Sequence, residues 1–185
     1  MTRKDSLTKL NQKIRNCKKC PLWRTRKNTV PGEGPANAKI IFAGQAPGFE
    51  EDKTGRPFIG RAGRFLNQLL RIANIKREKV FITSPIKCFP PKNRKPTEKE
   101  IGTCLPYLKK QIGIINPRKF ILLGEVAFSV FFPNKKLGDY RGKLVKKDGR
   151  EYFVTYHPAA GIRFQKFRKI LEKDFKKIGE TIKGL

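Results

Sequence analysis

The chain has 185 residues, with 43 Lys and Arg against 15 Asp and Glu, one His and four Cys, and its formal charge is +28. That length fits a single domain. So unbalanced an excess of cations calls for a polyanionic partner, with nucleic acid ahead of an anionic membrane surface, because a merely heat-adapted exterior would balance Lys with Glu.

No apolar run approaches a membrane span, and the polar N-terminus has no apolar signal region. The expectation is an intracellular, cytoplasmic or nucleoid-associated protein without a membrane partner. In that reducing setting four cysteines are read as metal ligands or core thiols rather than disulfides.

In chain order, Asp5 or Ser6 is expected to cap a first helix carrying Leu7, Leu10 and Ile14 on one face and running into Cys17-Lys-Lys-Cys20. Lys39–Ala43 reads as a buried strand ending at Gly44, followed by a Gly- and Pro-punctuated loop from Gln45 to Gly60. A helix is predicted from about Gly63 to Ala73, then a strand over Val80–Thr83 and a proline-rich loop from Cys88 to Pro96.

Thr97 and Glu100 form a capping box, and the helix after it places Ile101, Cys104, Leu105, Leu108 and Ile112 on one face. Lys119–Leu123 is the third strand, Glu125–Phe131 a short helix, and Tyr152–Thr155 a fourth strand that delivers His157 at its C-terminal end. A last helix, Arg168–Lys183, carries Leu171, Phe175, Ile178 and Ile182 as a narrow stripe suited to packing on a sheet.

Strands alternating with helices predict one α/β domain over residues 1–185, with a mainly parallel central sheet flanked by helices on both faces. Ligands of such sheets bind beyond the C-terminal strand ends, where the loops starting at Gly44, Ser84 and His157 meet. Cys17, Cys20, Cys88 and Cys104 make a four-thiolate set whose spacing suits zinc or an iron–sulfur cluster.

Gly44-Gln-Ala-Pro-Gly48, Glu51-Asp52, Gly55-Arg-Pro-Phe-Ile-Gly60, Lys87-Cys88-x-Pro-Pro91 with Asn93-Arg94, and Tyr156-His-Pro158 closely resemble the family 4 uracil-DNA glycosylases. These form the thermophile-associated branch that carries a [4Fe–4S] cluster. The resemblance runs from about Leu7 to Lys177, and all four cysteines fall on the positions of that family's cluster ligands.

It implies a monofunctional DNA N-glycosylase that flips a deaminated base, uracil foremost, out of DNA and hydrolyses its bond to the sugar, the first step of base excision repair. His157 would donate a hydrogen bond to the departing base and Phe58 would stack on it. Glu51 would lie near its C5 edge and disfavour thymine, while Gly44 and Ala46 would offer backbone N–H groups to it. Arg163 and Phe164 would wedge into the gap left in the DNA, and Lys92 and Arg94 would contact phosphates.

Two positions depart from the family pattern. Gln45 replaces the acidic residue of Gly-Glu-Ala-Pro-Gly, and it can orient a water but cannot take its proton. Thr83-Ser84-Pro85 stands where the family has Thr-Asn-x, so the residue that reads the uracil edge is shorter and makes fewer hydrogen bonds.

Two alternatives therefore stay open beside uracil excision: a glycosylase acting on hypoxanthine, xanthine or an oxidised pyrimidine, and a non-catalytic lesion binder. A monomer is the simplest state for an enzyme that scans DNA. Contact with a replication clamp has no signature in the chain.

Overall fold

The computed structural model describes residues 1–182. A five-stranded sheet forms the centre, in the order β2-β1-β3-β5-β4. The strands are β1 (Ile40–Ala43), β2 (Phe81–Thr83), β3 (Lys119–Leu123), β4 (Leu144–Lys147) and β5 (Arg150–Thr155). β1 pairs in parallel with β2 and β3, and β3 with β5; only β4 runs antiparallel, against β5.

β1 and β3 are apolar almost throughout, and β5 is buried from Tyr152 to Thr155, as strands covered on both faces must be. Alternation then sorts their side chains. Ile40 and Phe42 point to one face, with Leu66 and Leu69 of helix α3 (Arg61–Ile72) and Phe175 and Ile178 of helix α8 (Gln165–Thr181). Ile41 and Ala43 point to the other, with Leu108 and Ile112 of α4 (Glu98–Ile115) and Phe128 of α5 (Glu125–Phe131).

A third apolar group gathers Leu10 and Ile14 of α1 (Arg3–Arg15), Leu22, Ile86, Cys88, Cys104 and Tyr107. It joins the N-terminal helix to the loop after β2 and to α4.

The expected α/β architecture and its four strands are present, with these differences. Helix α1 is capped by Thr2, whose hydroxyl accepts from Asp5 N while Asp5 returns a bond to Thr2 N; Asp5 is thus the third helical residue of a capping box, not the cap. The stretch from Gln45 to Gly60 is not all loop. Phe49–Thr54 forms helix α2, for which Glu51 closes a capping bond to Gly48 N and Gly55 supplies the left-handed C-cap.

The antiparallel strand β4 was not anticipated. Its signal was nonetheless in the chain, since Asp148-Gly149 adopt φ of 48° and 69°, the two positive angles of a tight hairpin turn. The short helix α6 (Leu137–Tyr140) precedes it, and α7 (Pro158–Arg163) follows His157. The last helix begins earlier than expected, at Gln165, and Lys183 lies outside the described residues. No helix among the described residues is long and apolar enough to cross a membrane.

Candidate active site

The loops that follow β1, β2 and β5 enclose a cavity of about 420 Å³. Gln45 and Ala46 come to it from the β1 loop, Ser84 from the end of β2, His157 from the end of β5 and Arg163 and Phe164 from the end of α7, with Glu51, Phe58 and Arg94 completing the wall. Parallel strands end at one edge of the sheet, so residues more than 100 positions apart in sequence meet there. A larger cavity of about 990 Å³ opens at the opposite end of β1, and it holds neither the histidine nor a cysteine.

His157 is the N-cap of α7, and its Nδ1 accepts a hydrogen bond from Ala159 N at 3.2 Å. That bond makes Nδ1 the acceptor and so assigns the ring proton to Nε2, the atom free to act as donor. Burial pushes its pKa down to about 4, so the ring is neutral at neutral pH. Gly124 makes room for it, because a Cβ there would lie 2.8 Å from His157 Cβ.

The Phe58 ring lies 5.6 Å from the imidazole, at an interplanar angle of 30°. Its backbone is left-handed, with φ of 50°, a conformation that costs a non-glycine residue about 1–2 kcal/mol and must be held from outside. Three residues hold it. Arg77 donates to the carbonyls of Pro57 (2.6 Å) and Phe58 (3.2 Å). Glu51 Oε1 accepts from Ile59 N and Gly60 N, both at 2.8 Å. Gly63 lets the start of α3 press on the Phe58 carbonyl, since a Cβ there would be 1.9 Å from that oxygen.

Glu51 is buried, and its other oxygen accepts from Gly48 N at 3.1 Å. The carboxylate thus staples the loop carrying Ala46 to the loop carrying Phe58. Ser84 is buried at the cavity wall, and the segment bearing it is anchored by Lys87. That ammonium donates to Thr83 Oγ1 (2.6 Å), Gln111 Oε1 (2.7 Å) and the Pro31 carbonyl (3.2 Å), and burial lowers its pKa to about 7.

Two expected contacts have other partners. The N–H of Gly44 donates to the Thr83 carbonyl at 2.9 Å, so it extends the β1–β2 ladder and is not offered to the cavity. The small residue is needed there for a different reason, because a Cβ would lie 2.6 Å from the Phe58 ring. Ala46 N makes no hydrogen bond among the described residues and stays available. The Arg94 guanidinium is engaged by both oxygens of Glu100, at 2.6 and 2.9 Å, so much of its charge is already balanced. Lys92 lies off the cavity wall, exposed in a single 3-10 turn, Pro91–Asn93, that interrupts the expected proline-rich loop, with left-handed φ of 56°.

All four cysteines border a third, small cavity, together with Ile14, Arg26, Lys87 and Tyr107. None is in a disulfide. Among the described residues no three His, Cys, Asp or Glu side chains converge as they would on one metal ion. Burial pushes the Cys104 thiol up to about 12 and raises that of Cys88, while Arg26 Nη1 donates to Cys88 Sγ at 3.0 Å.

The roles of Arg77 and Lys87 escaped the sequence reading. Each is one cation among 43, and what sets them apart includes bonds to Phe58, 19 residues away, and to Gln111, 24 residues away.

Residues 31–179 match the family model described as the uracil DNA glycosylase superfamily. A type-4 uracil-DNA glycosylase of Sulfurisphaera tokodaii is 46% identical, over 95% of this chain and 84% of that protein. One from Thermotoga maritima is 41% identical over 98% of this chain and 97% of its own. A type-5 uracil-DNA glycosylase of Pyrobaculum aerophilum is 30% identical over 78% of each chain.

Proposed function

As the chain belongs to the uracil DNA glycosylase superfamily and within it to the type-4 uracil-DNA glycosylases, we propose that it removes uracil from DNA by hydrolysing the N-glycosidic bond. The observation that carries this reading is a neutral histidine whose Nε2–H is left to a cavity with an aromatic wall. When the bond between sugar C1′ and the base nitrogen breaks, the electron pair leaves with the base and positive charge remains on the sugar.

His157 would donate to the base oxygen beside that nitrogen, where negative charge grows. A base taken out of the helix loses its stacking partners, and Phe58 would replace one of them. Gln45 would orient the water that adds to C1′, and the proton released by that water passes to solvent or to the departed base. Ala46 N is a candidate donor to the base edge, and Ser84 is the polar side chain at the position that reads it.

Glu51 would set specificity through the loops it ties together as well as through its position. Arg163 and Phe164, with the surplus of unpaired Lys and Arg, suit the DNA backbone and the gap behind the flipped base.

We also infer that Cys17, Cys20, Cys88 and Cys104 hold a [4Fe–4S] cluster. The donor set fits, because four free thiols face one cavity without converging on a single point, and a cluster binds each sulfur through a different iron. Coordination would release the protons that burial now holds on Cys88 and Cys104. Such a cluster supplies cross-linking here, tying the end of α1 to the loop after β2 and to α4.

The test is single-turnover excision on oligonucleotides carrying uracil, hypoxanthine, xanthine or an oxidised pyrimidine, with iron and acid-labile sulfide measured on the anaerobically purified protein. Uracil release with about four irons per chain is the expected result. Tight lesion binding without release of any base would replace the enzyme by a lesion-binding protein, and stoichiometric zinc without iron would remove the cluster.

A further inference from the structure

Apart from Met1, only two large apolar side chains among the described residues are more than half exposed, Phe49 at 52% and Phe164 at 59%. Scattered exposed rings need no explanation, but Phe164 lines the cavity and Phe49 directly follows Gly48 of its wall. Phe164 lines it from the end of α7. Phe49 is not itself part of the wall; it follows Gly48, starts α2, and belongs to the segment after β1, two strands away from β5.

Each ring is backed edge-on by a second phenylalanine. Phe49 lies 6.4 Å from Phe89 at 63°, and Phe164 lies 6.0 Å from Phe167 at 68°. That support limits rotation and holds an aromatic face ready in water, where an unsupported Phe would swing freely. Lys53 Nζ sits over one side of the Phe49 ring, 4.2 Å from its centroid, and is paired with Glu50 Oε1 at 3.4 Å, so the other side is the one left open.

We propose that Phe49 is a stacking platform for an unpaired base next to the flipped nucleotide, on the far side of the cavity from Phe164, and that the favoured substrate is therefore single-stranded DNA. This rests on the glycosylase reading above. A base in single-stranded DNA has a free face to offer to Phe49, whereas in a duplex that face is covered by its neighbour, so the contact would count mainly on single strands.

The experiment compares the wild type with Phe49→Ala, Phe49→Leu and Phe49→Tyr on single-stranded and duplex uracil oligonucleotides. The maximal single-turnover rate and the half-saturating enzyme concentration are read separately. Stacking of one base on an aromatic side chain predicts a half-saturating concentration roughly 5- to 150-fold higher for Phe49→Ala on the single strand. The expected maximal rate is within about threefold of wild type, with Tyr matching wild type and Leu remaining impaired.

A 2-aminopurine beside the uracil should report stacking on the wild type and lose that signal with Phe49→Ala. Unchanged single-strand binding, full rescue by Leu, or equal losses on both substrates would each overturn the platform while leaving the glycosylase in place. A wild type that excises no uracil would instead remove the premise.

Discussion

Replacing His157 separates its cap from the donor role proposed for it. Its Nδ1 caps α7 by accepting from Ala159 N at 3.2 Å, and its Nε2–H is the donor proposed for the departing base. A cap of this kind contributes about 1 kcal/mol. One donor to a developing negative charge contributes about 2.7–4 kcal/mol, or roughly a hundred- to a thousandfold in rate. The two amounts differ enough to be measured apart.

His157→Ala should lose both, His157→Asn should keep the cap through its short side-chain oxygen but lack the distal donor, and His157→Gln should recover part of the rate through its longer amide. Single-turnover excision at saturating enzyme and thermal unfolding are the two assays. Asn should therefore melt within about 2 °C of wild type while cutting roughly a hundredfold more slowly. An Asn variant as fast as wild type would refute the donor role.

The pH profile offers an independent check. Burial holds His157 near pKa 4, below its ordinary 6.5, so the neutral ring persists well into acid. Excision should show no inflection at 6.5. Because the folded pKa is the lower one, the neutral ring's contribution to stability is complete above 6.5 and is lost as pH falls towards 4. A rate inflection near 6.5 would mean an ordinary, solvated histidine.

Glu51→Gln replaces one carboxylate oxygen by an amide N–H2 facing backbone donors, so at least one charge-assisted bond is lost; a stability decrease of about 2 kcal/mol and slower excision through a loosened Phe58 are expected, and an unchanged melting temperature would contradict the staple. Ser84→Asn restores a longer reader at the buried cavity wall, and should raise uracil excision from a U·A pair roughly ten- to a hundredfold. No gain, combined with efficient release of hypoxanthine by the wild type, would show a pocket shaped for another base. Arg26→Met removes the bond to Cys88 Sγ, so the visible absorption of the proposed cluster should bleach roughly ten- to a hundredfold faster under a chelator, whereas an unchanged decay would make Arg26 a bystander.

What the amino-acid sequence determined by itself is what repeats locally or is carried by residue type. Runs such as Phe120-Ile-Leu-Leu123, the capping box at Thr97 and Glu100, and the stripe Leu171, Phe175 and Ile178 each declare an element and its buried face, because period and cap chemistry act over a few residues. The lone His157 at a strand end and the four-cysteine pattern were legible for the same reason. Asp148-Gly149 was equally legible and went unread.

Tertiary structure decided what depends on distant partners. That Gly44 offers its N–H to Thr83 rather than to the cavity follows from the parallel register of β1 on β2, which no local pattern encodes. The left-handed Phe58 is held by Arg77 and Glu51, and Arg94 is balanced by Glu100. A charged side chain in sequence is only a net charge; its hydrogen-bonding partner is chosen when folding brings separate segments within about 3 Å, the range where those bonds are strong.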